Sequence, residues 1–345
     1  MTAAPSTAAP GAPVLDVRSL DTVLHTPDGR ALHVLHGVGL TIGAGECLGV
    51  VGESGSGKSV LARTVLGVHP RTARVTATGQ VLLRGEDLLS AAPARRAALL
   101  GTGVAMVHQD PMTSLNPVVR IADQVTEALT NRSPLSRRAR RETATELLAA
   151  VDVPDPARRA RAYPHELSGG LRQRVGIAAA LAGSPALLLA DEPTTALDVT
   201  VQRTVLDLLD RHRETRGLAT LLITHDIGLL YGRARRIAVM YGGRIVETGP
   251  TEAVTERPAH PYTAALLRSV PRVTGPLRRT LPAIAGSPPD LSRPPAGCPF
   301  APRCERAEAA CTTTVPPVHH AGAGHSASCH FPLLPVPASP SENAA

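Results

Sequence analysis

Apolar residues along this chain fall in short runs that are separated by glycine, proline or charged residues. From Leu15 to Ile42 the runs alternate with polar positions around a turn at Pro27-Asp28-Gly29, which predicts antiparallel strands. Two later runs, 186–190 and 219–223, are almost entirely apolar and predict strands buried on both faces. Residues 118–165 are rich in charge and predict helices. The other strands predicted are 46–51, 79–85 and 104–107.

The composition changes along the chain and indicates where its parts begin and end. Residues 1–13 are rich in alanine, proline and threonine, so we expect them to be disordered, like the tail 336–345. Residues 14–250 carry the mixed strand and helix patterns of an α/β domain, with a helical subdomain at about 112–170. Beyond 250 proline becomes frequent, which predicts a small irregular C-terminal extension at 251–335.

Charge and aromatic content argue against nucleic acid as a partner. Lysine and arginine exceed aspartate and glutamate, 36 against 29. Part of the excess lies in arginine-rich segments such as 137–141, which are more typical of a solvated helix face than of a nucleic-acid site. The chain has no Trp, two Phe and four Tyr, too few to stack the bases of a single strand.

Neither a secretory signal nor a membrane span is evident in the sequence. The N-terminal residues lack the basic start and the apolar core of a signal. The longest apolar stretch, 175–190, is interrupted by Gly183-Ser184-Pro185 and is too short to cross a bilayer. We therefore expect a cytoplasmic protein whose cysteines are reduced thiols or metal ligands.

The strand at 46–51 is followed by a glycine-rich segment that fits the phosphate-binding pattern G-x-x-x-x-G-K-[ST]. Residues without a Cβ atom allow backbone N–H groups to surround phosphate oxygens, and the helix predicted at 60–66 adds its positive end. In this pattern Lys58 reaches the β and γ phosphates, and the Ser59 hydroxyl binds Mg²⁺. An ordinary Gly/Ser loop is the alternative, which the order strand, loop, helix disfavours. The segment consists of Gly52, Glu53, Ser54, Gly55, Ser56, Gly57, Lys58 and Ser59.

A pair of carboxylates follows the predicted buried strand at 186–190. Asp191 would reach the Mg²⁺ shell, and Glu192 beside it would orient and polarise an attacking water molecule. A carboxylate pair at a strand end is common by chance, but one that follows LLLA in a chain with a phosphate-binding loop is not. The pair therefore predicts nucleotide hydrolysis.

A second anion site is predicted within ELSGGLRQR (166–174). Ser168, Gly169 and Gly170 offer a hydroxyl and unhindered N–H groups at the start of a helix predicted at 171–182. One chain thus carries two surfaces that bind phosphate.

Six motifs over residues 14–250 resemble, in kind and order, those of an ABC-transporter ATPase. They are the phosphate-binding loop, Gln109 in VAMVHQDPMTSLNP, LSGG, the strand ending in Asp191 and Glu192, ALD and ITHD. The resemblance implies an α/β fold: a RecA-like P-loop NTPase core with an N-terminal antiparallel β subdomain and a helical signature subdomain. It also implies that the chain is an enzyme that binds ATP with Mg²⁺ and hydrolyses it.

The resemblance assigns further roles to individual residues. Two subunits of the family associate head to tail, and the LSGG signature of one covers the γ-phosphate bound by the other. Gln109 is then expected to sense Mg²⁺ and water and to couple to the membrane subunits. Asp198 is expected at the dimer interface, and His225 at the γ-phosphate. The family usually stacks adenine on an aromatic residue, but 22–26 contains none, so His25 is the candidate substitute.

Two C-terminal segments, HPYTAALLRSVP (260–271) and GCPFAPRC (297–304), resemble the extension of oligopeptide and dipeptide importer ATPases. That group also includes importers of nickel. The resemblance implies a second ATPase subunit, two membrane permeases and, indirectly, an extracytoplasmic solute-binding protein, with this chain at the cytoplasmic face of the membrane. A non-transport role in DNA repair or translation is the alternative. It is disfavoured because this chain has neither a long coiled-coil insertion nor a second ATPase unit.

Four cysteines crowd into the extension, at Cys298, Cys304, Cys311 and Cys329. Their spacings of five, six and seventeen intervening residues contain none of the tight C-x-x-C pairs usual in zinc sites. Thiolates on an irregular loop suit a [4Fe-4S] cluster, and similar importer ATPases carry such a set. The alternatives are Zn²⁺ bound with help from His325 or His330, and no metal. Cys47 is predicted to be a core thiol.

Overall fold

The computed structural model describes residues 12–69, 74–110, 114–195, 197–270 and 284–334. Most of the predicted disordered ends, 1–11 and 335–345, lies outside these residues. Within them the strands are β1 (Leu15–His25), β2 (Ala31–Ile42), β3 (Cys47–Val51), β4 (Arg74–Leu83), β5 (Glu86–Asp87), β6 (Val104–Val107), β7 (Leu187–Asp191), β8 (Ala219–Thr224), β9 (Arg236–Tyr241), β10 (Arg244–Pro250), β11 (Val318–Gly322) and β12 (His325–Ser328).

The helices are mostly short, and none in the described part of the chain is long and apolar enough to span a membrane. Short 3₁₀ turns occur at Pro164–Glu166, Ile227–Leu230 and Ala301–Arg303. The α-helices are α1 (Lys58–Leu66), α2 (Pro93–Leu99), α3 (Ile121–Val125), α4 (Glu127–Thr130), α5 (Arg137–Ala150), α6 (Pro156–Arg159), α7 (Gly169–Ala182), α8 (Val199–Arg216), α9 (Thr251–Glu256), α10 (Pro261–Arg268) and α11 (Ala309–Thr313).

Two sheets form the frame of the molecule. An antiparallel sheet has the order β2-β1-β4-β5, as the alternating pattern near the N-terminus predicts. The larger sheet has the order β11-β12-β10-β9-β3-β8-β7-β6, in which β9, β3, β8, β7 and β6 are parallel. Every residue of β3, β7 and β8 is buried, which explains their continuous apolar runs.

Each face of the larger sheet packs against a different layer. One face meets α1 and the antiparallel sheet, and the other meets α7, α8 and part of the C-terminal extension. Because β3, β7 and β8 are parallel, the residues that follow them meet at one edge of the sheet. The phosphate-binding loop, the carboxylate pair and His225 all lie at that edge.

Among the predicted elements, α1, α7 and β4 begin two or more residues before the predicted start. Helix α7 begins at Gly169, two residues before the predicted start, because the Ser168 hydroxyl caps it by accepting a hydrogen bond from the Leu171 N–H at 3.4 Å. Strand β4 begins at Arg74 and is longer than predicted, since it pairs with β1 as far as His25. The charged segment 118–165 is mostly helical, as predicted.

The C-terminal extension contributes regular structure to the larger sheet. Strand β12 pairs with β10 through Glu247–Ala327 and Thr248–Ser326, and β11 completes a hairpin. The Glu247 carboxylate is fully buried and contacts His325 Nε2 at 2.7 Å. The same carboxylate accepts the Ala259 and His260 N–H groups at 2.7 and 2.9 Å. The extension is therefore joined to the sheet by backbone pairing and by a buried polar contact.

Candidate active site

The phosphate-binding loop connects β3 to α1 and requires glycine at two positions. A Cβ atom on Gly52 would lie 2.0 Å from the Met240 carbonyl oxygen, and Gly57 has a φ of +101°. In the described part of the chain no side chain caps the first turn of α1, so its first N–H groups remain for an anion. The local fold thus places the start of α1 and a loop of small residues around the position expected for a phosphate group.

Lys58 is the only lysine in the chain, and its side chain is buried in this loop. Its Nζ donates to the Gly52 and Glu53 carbonyl oxygens at 2.7 and 2.9 Å, and to Ser56 Oγ at 3.4 Å. Burial lowers the pKa of Lys58, while the nearby carboxylates act in the opposite direction. A phosphate bound in the loop would give this buried ammonium group a negatively charged partner, which the carbonyl oxygens are not.

Asp191, the last residue of β7, accepts a hydrogen bond from the Ser59 hydroxyl at 2.9 Å. Burial raises the pKa of this carboxyl group, and the bond from Ser59 partly offsets the effect. A hydroxyl and a carboxylate held together in this way are the hard oxygen ligands that Mg²⁺ prefers. The two residues therefore fit the predicted Mg²⁺ site.

The Glu192 carboxylate is the meeting point of three side chains. Its Oε2 accepts the Thr195 hydroxyl at 2.8 Å and the Gln109 amide at 3.1 Å, and contacts His225 Nδ1 at 3.1 Å. Glu192 has a φ of +45°, which is unfavourable for a residue with a side chain. Such strain is found at functional sites. The structure thus brings Gln109, Glu192 and His225 together, and their catalytic roles remain predictions.

Comparisons with known proteins agree with this geometry. Residues 35–195 match the family described as ABC transporter, and residues 246–311 match the oligopeptide/dipeptide transporter C-terminal region. A putative peptide import ATP-binding protein of Brucella melitensis biotype 1 is 44% identical over 327 residues, which are 92% of this chain and 96% of that protein. One from Brucella abortus is 46% identical over 326 residues, covering 94% and 96%. The chain belongs to the ABC-transporter ATPase family.

Two solved structures have the same fold as this ABC-transporter ATPase. The dimeric ATP-binding cassette MJ0796, in a post-hydrolysis state bound to ADP and Pi, matches with a TM-score of 0.61 and 27% identity over 69% of this chain and 98% of that one. CbiO1 from Clostridium perfringens matches with a TM-score of 0.57 and 24% identity over 71% and 91%. The predicted α/β P-loop NTPase fold is confirmed.

The signature of this ABC-transporter ATPase lies at the start of α7. Ser168 and Gly169 are exposed, while a Cβ atom on Gly170 would lie 3.0 Å from Val201 of α8. Asp198 caps α8 by accepting the Thr200 and Val201 N–H groups at 3.1 and 3.0 Å. The roles of these residues between two subunits remain predictions.

His25 lies at the end of β1, where its Nε2 is 3.2 Å from Thr76 Oγ1 of β4. Its predicted contact with adenine remains a prediction.

The four C-terminal cysteines of the ATPase line one small cavity, together with His260 and His330. All are free thiols, and burial raises the pKa of Cys298 and brings that of Cys329 to about 11. His325 is not among the lining residues, because it is engaged by Glu247. Cys47 is buried in the core, as predicted, and burial raises its pKa to about 12.

Sequence reasoning missed one contact of the phosphate-binding loop. Arg303 of the extension forms an ion pair with Glu53 of the loop, and Tyr262 also contacts Glu53. The sequence contains no periodic signal for this contact, because the ion pair joins residues 250 positions apart. The HPY and GCPFAPRC segments, which Tyr262 and Arg303 belong to, are the local features that could have directed attention to it.

Proposed function

We propose that this ABC-transporter ATPase powers the import of peptides, or of a related solute such as nickel. The relatives named for peptide import carry this proposal, since their similarity extends over more than nine tenths of the chain and includes the C-terminal region. The alternative role in DNA repair or translation finds no support among these relatives.

ATP hydrolysis at the site follows from what each group can do. The loop N–H groups and Lys58 bind the phosphates, and Ser59 and Asp191 hold the accompanying Mg²⁺. Glu192 accepts hydrogen bonds at the strand end and orients a water molecule toward the γ-phosphate. Gln109 and His225, both within 3.1 Å of Glu192, respond to the nucleotide and fix the carboxylate.

A second ATPase subunit, in a head-to-tail dimer, would complete the site. The exposed Ser168 and Gly169 support this arrangement, because the signature presents a helix start to solvent. Val199, next to Asp198, is 81% exposed, which is unusual for a large apolar residue and favours an interface there. The partner is a second copy or, as we propose, a paralogue.

The membrane permeases would dock beside Gln109. A groove of about 660 Å³ lies there, lined by β6, by His108 and Leu115, and by α7 residues such as Gln173 and Ala180. Its lining is more apolar than polar, which suits an inserted helix of a membrane subunit. This contact would hold the ATPase at the cytoplasmic face of the membrane, with the solute-binding protein reached only through the permeases.

Replacing Lys58 by Ala tests the proposed function in cells. Without the ammonium group the loop should bind ATP at least about tenfold more weakly, the scale for losing a bond to a charged group. Uptake of a labelled peptide by cells that depend on this chain should fall to background. Cells with Arg293→Ala, a change at an exposed residue of the extension, should keep normal uptake. Normal peptide and nickel uptake without the chain would contradict the import role.

We further propose that the cysteine cavity holds a [4Fe-4S] cluster. Within the described chain no three of the sulfur atoms lie within 4.8 Å of one another, alone or with a histidine nitrogen. Tetrahedral zinc needs ligand sulfurs about 3.8 Å apart for bonds of about 2.3 Å. The thiolates of a cubane each bind a different iron atom and lie farther apart than zinc ligands do, so the lack of a tight trio among the described residues is compatible with iron–sulfur.

A buried histidine supports the same assignment. His260 Nδ1 accepts the Tyr262 N–H at 3.0 Å, so the ring proton of neutral His260 is on Nε2. That Nε2 is buried and has no hydrogen-bond partner among the described residues, and burial lowers the pKa of His260 to about 4. Because His260 lines the cysteine cavity, a cluster sulfur would satisfy this orphaned donor.

Replacing Cys304 by Ser should remove the metal and destabilise residues beyond about 290, while the core still binds ATP. Protein purified without oxygen should be brown and contain roughly four irons per chain, and the variant should be colourless. Cys47→Ala, outside the cavity, should retain the iron. About one colourless zinc per chain would decide for the alternative metal. Finding neither metal would refute a metal site.

A further inference from the structure

We propose that the cysteine-containing extension holds the phosphate-binding loop in its nucleotide-binding shape, with Arg303 as the positioning residue. The proposal rests on ATP binding at this loop and concerns what fixes the loop. Among the described residues of the nucleotide site, Arg303 contacts Glu53 alone, so it would act on ATP only through that residue.

The Arg303 guanidinium makes a two-pronged contact with Glu53. Its Nη1 lies 2.7 Å from Glu53 Oε2, and its Nη2 lies 3.1 Å from Oε1. The Arg303 side chain is only 4% exposed and that of Glu53 is 24% exposed, so the pair is shielded from water. A parallel fork of this kind fixes both the distance and the orientation of the carboxylate.

The remaining donors of Arg303 are also satisfied. Nε donates to the Ala285 carbonyl oxygen at 2.8 Å, Nη2 to that of Ile284 at 2.9 Å, and Nη1 to the Tyr241 hydroxyl at 2.9 Å. The guanidinium is therefore held by its own neighbours in the extension and in the sheet. Three of its five N–H bonds are to groups other than Glu53, which suits it to anchor the loop.

The loop backbone is held from a second direction. The Glu53 N–H donates to the Tyr262 hydroxyl at 2.8 Å, and Tyr262 is itself fully buried. Its ring packs against Tyr241 and Phe300, with centroids 4.4 and 5.4 Å away. The chain has only six Phe and Tyr residues, so half of its aromatic residues converge behind this loop. Such packing gives the contacts with Glu53 a rigid base.

The extension thus connects two sites. Arg303 directly precedes Cys304, and Tyr262 lies two residues after His260, which faces the cysteine cavity. A ligand that ordered the cavity would therefore also order Arg303 and Tyr262, which hold Glu53. The extension would raise the affinity for ATP by keeping the loop in one shape before the nucleotide arrives.

The single lysine provides a sharp test. Protein with ¹⁵N-labelled lysine has one backbone amide signal, from Lys58 in the loop. In Arg303→Met that signal should move before nucleotide is added, and the dissociation constant for ATP should rise about tenfold. In Arg293→Met, the matched change at an exposed arginine of the same extension, both should stay as in the wild type.

Glu53→Gln examines the same contact from the loop and keeps the test decisive if Arg303→Met does not fold. It should also weaken ATP binding. The double variant should bind ATP no more weakly than the single variant with the lower affinity. Wild-type ATP affinity and an unmoved Lys58 signal in folded Arg303→Met or Glu53→Gln would overturn the proposal. Lys58→Ala separates this result from a failure of the ATP site, since it loses affinity only if the loop binds ATP at all.

Discussion

Replacing Glu192 by Gln should slow ATP hydrolysis at least about a hundredfold while ATP still binds, because general-base and electrostatic groups act on this scale. The amide keeps the shape of the side chain but cannot take up a proton or polarise water in the same way. Since binding and closure survive, ATP should trap a closed dimer. The rate of hydrolysis is measured as turnover in the assembled transporter. The trapped dimer is detected from the mass of the protein in the presence of ATP.

The control for this change is Glu214→Gln. Glu214 lies near the end of α8 with 70% of its side chain exposed, so the substitution removes the same charge far from the site. Its turnover should equal that of the wild type. If Glu192→Gln also hydrolysed ATP at close to the normal rate, Glu192 would have no catalytic role.

Replacing Ser168 by Arg should abolish ATP-driven dimerisation and lower hydrolysis by about a hundredfold or more, the loss typical of removing transition-state contacts. The exposed serine would be replaced by a long cation where the partner's γ-phosphate is expected. ATP binding by the isolated subunit should be nearly unchanged, because we propose that the signature acts on the other subunit. If the partner is a paralogue, the defect should appear at the partner's phosphate-binding loop.

A matched substitution separates blockage from simple loss of a helix cap. Ser136 caps α5 as Ser168 caps α7, accepting the Ala139 N–H at 3.2 Å. Ser136→Arg should destabilise the protein by about 1 kcal/mol, as Ser168→Arg does through its cap, yet dimerise and hydrolyse normally. A Ser168→Arg variant that formed the ATP-bound dimer would exclude the signature from the interface.

The sequence indicated the candidate site where its residues lie close together in the chain. The phosphate-binding loop, the Asp191-Glu192 pair and the signature are local patterns, and parallel strands bring their ends to one edge. Contacts between distant segments left no such pattern. Arg303 is one arginine among many, and hydrogen bonds to Ala285, Ile284 and Tyr241 hold it beside Glu53.

The hairpin of β11 and β12 was also beyond sequence reasoning. Apart from Val318, its strands contain histidine, glycine, alanine and serine rather than the β-branched and aromatic residues that favour strands. The segment becomes extended because β10 offers an unpaired edge and Glu247 offers a buried partner for His325. Tertiary context therefore decides its conformation, whereas local propensity decides that of β3 or β7.

The pairing of β10 with β12 has a consequence during translation. The sheet contains strands from residue 47 to residue 328, so the ribosome must synthesise nearly the whole polypeptide before the sheet can be completed. At roughly 5–20 residues per second, the 78 residues from the end of β10 to the end of β12, 251–328, are synthesised seconds later than the central strands. During that interval β10 is an open edge, and Glu247 has no histidine partner. The nascent ATPase is then most exposed to association through unpaired strands and to capture by chaperones.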